Sequence, residues 1–136
     1  MHMTTIDAFF DSIVLVYQVS GDAVKARRSE QLLKAGGLVS VQELNEFTAV
    51  MLRKLKYDWP RIVDALAGVR ATCPIVPVTI EVHDRGLIFA ERHGFHIYDA
   101  MIVAAAQLAG CTTLYSEDMQ DGQSIDGLTI INPYAG

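Results

Sequence analysis

Ala8-Phe9-Phe10-Asp11-Ser12-Ile13-Val14-Leu15-Val16-Tyr17 contains two apolar runs divided by a polar pair. The first run reads as a short buried strand, and Ile13 to Tyr17 as a short helix that follows it. A carboxylate therefore stands where a buried strand ends. Burying such a group without a partner is costly, so Asp11 is the acid least easily explained by structure alone.

The same alternation continues outward. Residues 22–35 predict a helix capped by Asp22, with Val24, Leu32 and Leu33 on its apolar side and Gly36-Gly37 as its stop. Leu38-Val39-Ser40 is a short strand. From Val41 to Lys56, the residues Leu44, Phe47, Met51 and Leu55 recur at helical intervals, and basic residues crowd the last turns, where the helix dipole favours them. Trp59-Pro60 restarts a helix to about Arg70, and Pro74 to Val78 has too many prolines for a central ladder, so it is an edge strand. Thr79 opens a helix ending at Gly94, and Asp99 opens another ending at Gly110. Cys111 to Tyr115 is a strand, an acidic turn follows, and Leu128 to Ile131 is the last strand. Short strands separated by helices pair in parallel through right-handed crossovers. The expected class is α/β, a three-layer α/β/α arrangement around a short parallel sheet, in one domain spanning 1–136.

Composition sets the outer bounds. The 136 residues are 51% hydrophobic and 20% charged with only 10 Gly and 4 Pro, which excludes disordered and low-complexity classes. The longest apolar run, Ala100 to Ala106, is far shorter than the roughly 20 residues of a membrane span. No basic stretch precedes an apolar core at the N-terminus, so no secretory signal is expected, and Met1-His2-Met3 reads as a cloning remnant. Cys73 and Cys111 form no C-x-x-C pair and are expected to be reduced thiols of a cytoplasmic protein. The net charge of −5 comes entirely from residues 93–136, which hold five acids and no Lys or Arg. Residues 23–63 reverse the sign, with eight Lys and Arg against four acids. One face can thus be basic on an acidic whole, although solvated helix faces explain the same pattern.

Ligands of open parallel sheets bind beyond the carboxyl ends of the strands. Acids stand there: Asp11 after the first strand, Glu46 in the helix after Ser40, Asp99 at a helix start, and Asp118 three residues past Tyr115. Carboxylates about 4 Å apart repel by about 4 kcal/mol per pair at an effective dielectric near 20. A converging set needs a cation, and all-oxygen ligation favours Mg²⁺ or Mn²⁺. Each acid also has a structural explanation: Asp99 as a helix cap, Asp118 and Asp121-Gly122 as turn chemistry. Ser40-x-x-Glu43 forms a capping box, which leaves Glu46 free for other work.

Phe9-Phe10-Asp11-Ser12-Ile13-Val14-Leu15-Val16-Tyr17, Ser40 with Glu46-Phe47 six residues on, Tyr98-Asp99-Ala100-Met101-Ile102-Val103, and Leu114-Tyr115-Ser116-Glu117-Asp118-Met119 resemble, in order, the motifs of PIN-domain nucleases, especially VapC-type toxins. The resemblance spans nearly the whole chain. It implies a Mg²⁺- or Mn²⁺-dependent endoribonuclease, with Asp11, Glu46, Asp99 and Asp118 as catalytic and metal-holding acids and Ser116 as a supporting hydroxyl. It further implies an RNA substrate, a homodimer and a VapB-type antitoxin partner. One position departs: Ile13 stands where the family usually has Asn or another small polar residue, whose hydrogen bonds Ile cannot make, so weakened activity is expected.

Competing readings are thinner. A receiver-type phosphoacceptor domain also places acids at strand ends, but needs a late Lys, and no Lys follows Lys56. A PIN fold that binds RNA or a partner without cleaving it is made plausible by Ile13. His83, His93 and His96 lack metalloprotease spacing and are expected as surface or cap residues. Tyr57 and Trp59, beside Arg53, Lys54, Lys56 and Arg61, can stack on RNA but are more economically read as core aromatics at a helix junction.

Overall fold

The computed structural model describes residues 6–135, so Met1-His2-Met3 lies outside the described residues. In chain order the elements are β1 (Ala8–Phe10), α1 (Ser12–Tyr17), α2 (Ala23–Ala35), β2 (Val39–Ser40), α3 (Val41–Arg53), α4 (Trp59–Thr72), β3 (Ile75–Val76), α5 (Ile80–His93), α6 (Ile97–Leu108), β4 (Thr113–Tyr115), β5 (Ser124–Ile125) and β6 (Leu128–Ile131). Strands β1-β4-β6-β5 form one sheet and β2-β3 a second. A parallel bridge between Phe9 and Leu38 joins them, with Phe10 N donating to Leu38 O at 2.9 Å and Leu38 N to Ala8 O at 2.9 Å.

Successive strand residues face opposite sides, and that alternation builds two cores. Phe9, Leu114 and Ile130 pack with α5 and α6, while Phe10 and Val39 pack with residues of α1, α2, α3 and α4. The three-layer α/β/α reading is the observed architecture. β3 pairs only with β2, as expected of the proline-flanked edge.

Several expectations need correction. β6 does not end the sheet alone: β5 pairs with it antiparallel, within the stretch read as an acidic turn. The connection is Asp126-Gly127, with φ of 46° and 89°, the two positive angles of a two-residue hairpin turn that suits the right-handed twist of the flanking strands. Helix α6 opens two residues earlier than expected, at Ile97, with His96 rather than Asp99 as its cap. Helix α3 stops at Arg53 instead of Lys56, and Lys56 has a positive φ of 57° that no helix accommodates. Val24 is 79% exposed and belongs to no apolar face, whereas Ser29 of the same helix is buried, its Oγ 2.6 Å from Tyr134 Oη. Trp59 is 60% exposed at the first position of α4, and so is not a core aromatic. Tyr57 is half-buried and does pack against the core, its hydroxyl donating to Val19 O at 2.5 Å.

Both cysteines are free and buried, and burial raises both thiols to about 11. No helix among the described residues is long and apolar enough to cross a membrane.

Candidate active site

Asp11 leaves β1 and caps α1, a structural role that the strand-end reading did not include. Its Oδ1 accepts from Ser12 N at 2.7 Å, and its Oδ2 accepts from Ser116 Oγ at 2.8 Å. Ser116 is buried directly after β4, and its own N donates to Ile131 O at 3.0 Å. The adjacency of β1 and β4 thus brings Ser116 to Asp11, with Asp11 N also donating to Tyr115 O at 2.9 Å. Both oxygens of Asp11 are held in place by donors. Even so, desolvation raises its pKa beyond what those bonds offset, and the charges of Asp99 and Asp118 raise it further.

Glu46 is half-buried in α3, and its carboxyl is pushed up to about 7 by desolvation first and then by Asp11, with a smaller contribution from Asp99. Asp99, in the first turn of α6, is raised by desolvation and by Asp118, while His96 opposes the shift. Asp118 is exposed on the segment after β4. Asp11 and Asp99 therefore lie within electrostatic reach of each other and of both Glu46 and Asp118. None takes part in an ion pair among the described residues. Nor do any three His, Cys, Asp or Glu there stand close enough to grip one ion as their side chains now lie. Closing the set on one ion would require these side chains to come nearer to one another.

Glu43 is the capping-box member expected: its Oε1 accepts from Ser40 N at 2.7 Å and Ser40 Oγ at 2.6 Å. It is also more than a cap. The residue is fully buried, its Oε2 has no partner, and desolvation, reinforced by Asp11 and Glu46, raises it to about 8. Sequence spacing identified the box but not its proximity to the acids.

Beside Asp118, Glu117 accepts from Tyr17 Oη and from Lys25 Nζ, the latter at 2.8 Å. Lys25 also donates to Tyr17 Oη at 2.9 Å and lies 4.6 Å from the Tyr17 ring centroid. These partners are 92 and 100 residues apart in sequence, so no local spacing could have indicated them. Ile13 is half-buried against the core on the α1–α4 side. His83 and His93 are exposed, and His96 caps α6 as its class suggested.

The PIN domain family model matches residues 8–120. Among solved structures, a toxin–antitoxin complex from Klebsiella pneumoniae superposes with a TM-score of 0.72 at 22% identity, over 93% of this chain and 98% of that one. VapC20 of Mycobacterium tuberculosis, described as a sarcin-ricin loop cleaving toxin, gives 0.67 at 19% identity over 82% and 89%. VapBC2 of Rickettsia felis, bound to a DNA fragment from its promoter, gives 0.64 at 17% over 90% and 96%. These likenesses concern the fold. No curated protein matches the chain.

Proposed function

The chain belongs to the PIN-domain family, and from that premise we propose that it is a metal-dependent endoribonuclease hydrolysing RNA phosphodiester bonds, the toxin of a toxin–antitoxin pair. The observation that supports this most is the acidic group itself: neighbouring carboxylates help raise Asp11, Glu46 and Asp99, Asp118 acts on both Asp11 and Asp99, and none of the four pairs with Lys or Arg among the described residues. Uncompensated repulsion of this kind is costly in a folded protein unless something positive binds. A set of hard oxygens fits Mg²⁺ or Mn²⁺. Asp11 and Asp99 would hold the ion, with Glu46 and Asp118 completing the set directly or through water. When bound, such a cation supplies charge neutralisation, a more acidic water and support for the leaving oxygen.

The chain's own residues do the rest. Ser116 and Ser12 fix the Asp11 carboxylate before any ligand arrives, which removes a reorganisation cost. Asp99 stands on the first turn of α6, whose residues Ala100 to Ala106 are all buried, so its backbone is rigidly placed. Glu46 lies one turn beyond the Glu43 cap on the same helix. Asp118 is exposed, and its role in this proposal is to orient water or complete the metal set.

A homodimer and a cytoplasmic setting belong to this proposal, as does an antitoxin of VapB type, which the toxin–antitoxin complexes among the fold's neighbours support. A PIN fold that binds without cleaving is the second reading. Ile13 favours it, because it packs against the core where the family usually offers a polar side chain.

Cleavage of end-labelled RNA by the purified chain separates the two. Wild type is expected to cleave in Mg²⁺ or Mn²⁺ and not in EDTA, and Asp99→Asn to be inactive though folded. Unchanged cleavage by Asp99→Asn at saturating Mg²⁺ would remove Asp99 from the site.

A further inference from the structure

A hollow of about 360 Å³ opens beside the acids, walled by Val41, Gln42, Asn45, Glu46, Val78 and Tyr98. We propose that it is a subsite for one unpaired nucleobase of single-stranded RNA, with Tyr98 as the stacking surface. This inference rests on the ribonuclease proposal above. Glu46 belongs to both the hollow and the acidic group, and Tyr98 directly precedes Asp99. A base seated here therefore has its own phosphate beside the acids.

The wall chemistry selects the occupant. Its volume is at the lower end of the roughly 300–1,000 Å³ of small-molecule sites, room for one ring system and little more. No Lys, Arg or His lines it, and Glu46 repels phosphate, so the group that enters is neutral. Val41, Val78 and the 59%-exposed Tyr98 ring offer apolar faces. The Gln42 and Asn45 amides provide donors and acceptors for a base edge. Gln42 Nε2 donates to Tyr98 O at 3.1 Å, which ties the first turn of α3 to the first turn of α6 and leaves the amide oxygen to accept from a base. Bases stacked inside a duplex cannot reach such a hollow, whereas unpaired bases stack readily on aromatic rings.

The test uses hexauridylate, hexaadenylate and copies with one abasic residue moved along the strand. Dissociation constants are measured in EDTA and KM and kcat in Mg²⁺, for wild type, Tyr98→Ala, Tyr98→Phe and Tyr98→Trp. Loss of one stacked base corresponds to roughly 5- to 150-fold weaker binding. Tyr98→Ala is expected to lose that factor and to raise KM with little change in kcat, and Phe and Trp to restore both. One abasic position should cost wild type the same factor and cost Tyr98→Ala nothing more. Equal binding by wild type and Tyr98→Ala, additive losses, or no binding by wild type would each overturn the subsite. A change in sedimentation mass on Tyr98→Ala would instead assign the hollow to a second copy of the chain, and overturn it too. Cleavage with no Tyr98 effect leaves the ribonuclease proposal standing without the subsite. The full binding signature without cleavage does the reverse.

Discussion

Glu43 has one oxygen engaged by its cap and the other buried without a partner. Its folded carboxyl, near 8, lies above the ordinary value of 4.5, so the folded state holds the proton more tightly than the unfolded one. The stability this gives is complete below about pH 4.5 and is lost as pH rises through about 8. Glu43→Gln keeps the reach of a capping box and has no proton to lose. Chemical denaturation in EDTA should therefore show this variant gaining on wild type between pH 5 and pH 8, by up to about 1.4 kcal/mol for each pH unit crossed. Parallel pH profiles for the two proteins would show that Glu43 stays ionised. The Ser116 hydroxyl is a direct donor to Asp11, so Ser116→Ala should reduce metal affinity or turnover by about 10- to 100-fold. A titration with Mn²⁺ against both proteins measures it.

Among the elements, β1 and β2 meet through a close approach. A Cβ on Gly37 would lie 2.4 Å from Phe10 Cε2 and Cζ, and that ring is fully buried. Gly37→Ala should thus cost about 1–3 kcal/mol by overpacking, read as a lower denaturant midpoint with an unchanged slope. Helices and parallel strands were legible because caps and periodicity are local: Asp22, Ser40 and Thr79 all cap where expected. The start of α6 was misplaced because Asp99 is an ordinary cap residue, while His96, a rarer one, accepts from Tyr98 N at 3.4 Å. The β5–β6 hairpin had a visible signal, Asp126-Gly127 between the apolar Ile125 and Leu128, but the surrounding acids masked it as a turn. The Lys25–Glu117 bond links α2 to the segment bearing Ser116 and Asp118. Lys25→Met should accordingly lower turnover more than it lowers Tm, and equal, proportionate losses would reduce the bond to a surface ion pair.

For the molecule as a whole, the acidic group sets stability against function. In EDTA the four charges repel, so Asp99→Asn should be at least as stable as wild type. Mg²⁺ should raise the Tm of wild type by mass action and leave that of Asp99→Asn unmoved. The order of the acids along the chain was legible, since each follows a strand or stands near a helix start. Their electrostatic coupling was not, because burial depends on how both cores close around the sheet edge. Glu43 illustrates the difference: spacing identified its bond to Ser40, and only the packing of α3 shows that its second oxygen is left over. Anomalous scattering from crystals grown with Mn²⁺ decides whether these acids hold a divalent cation. The expected result is an anomalous peak about 2.1–2.2 Å from carboxylate oxygens of Asp11 and Asp99. A peak elsewhere on the chain, or none at saturating Mn²⁺, would contradict it.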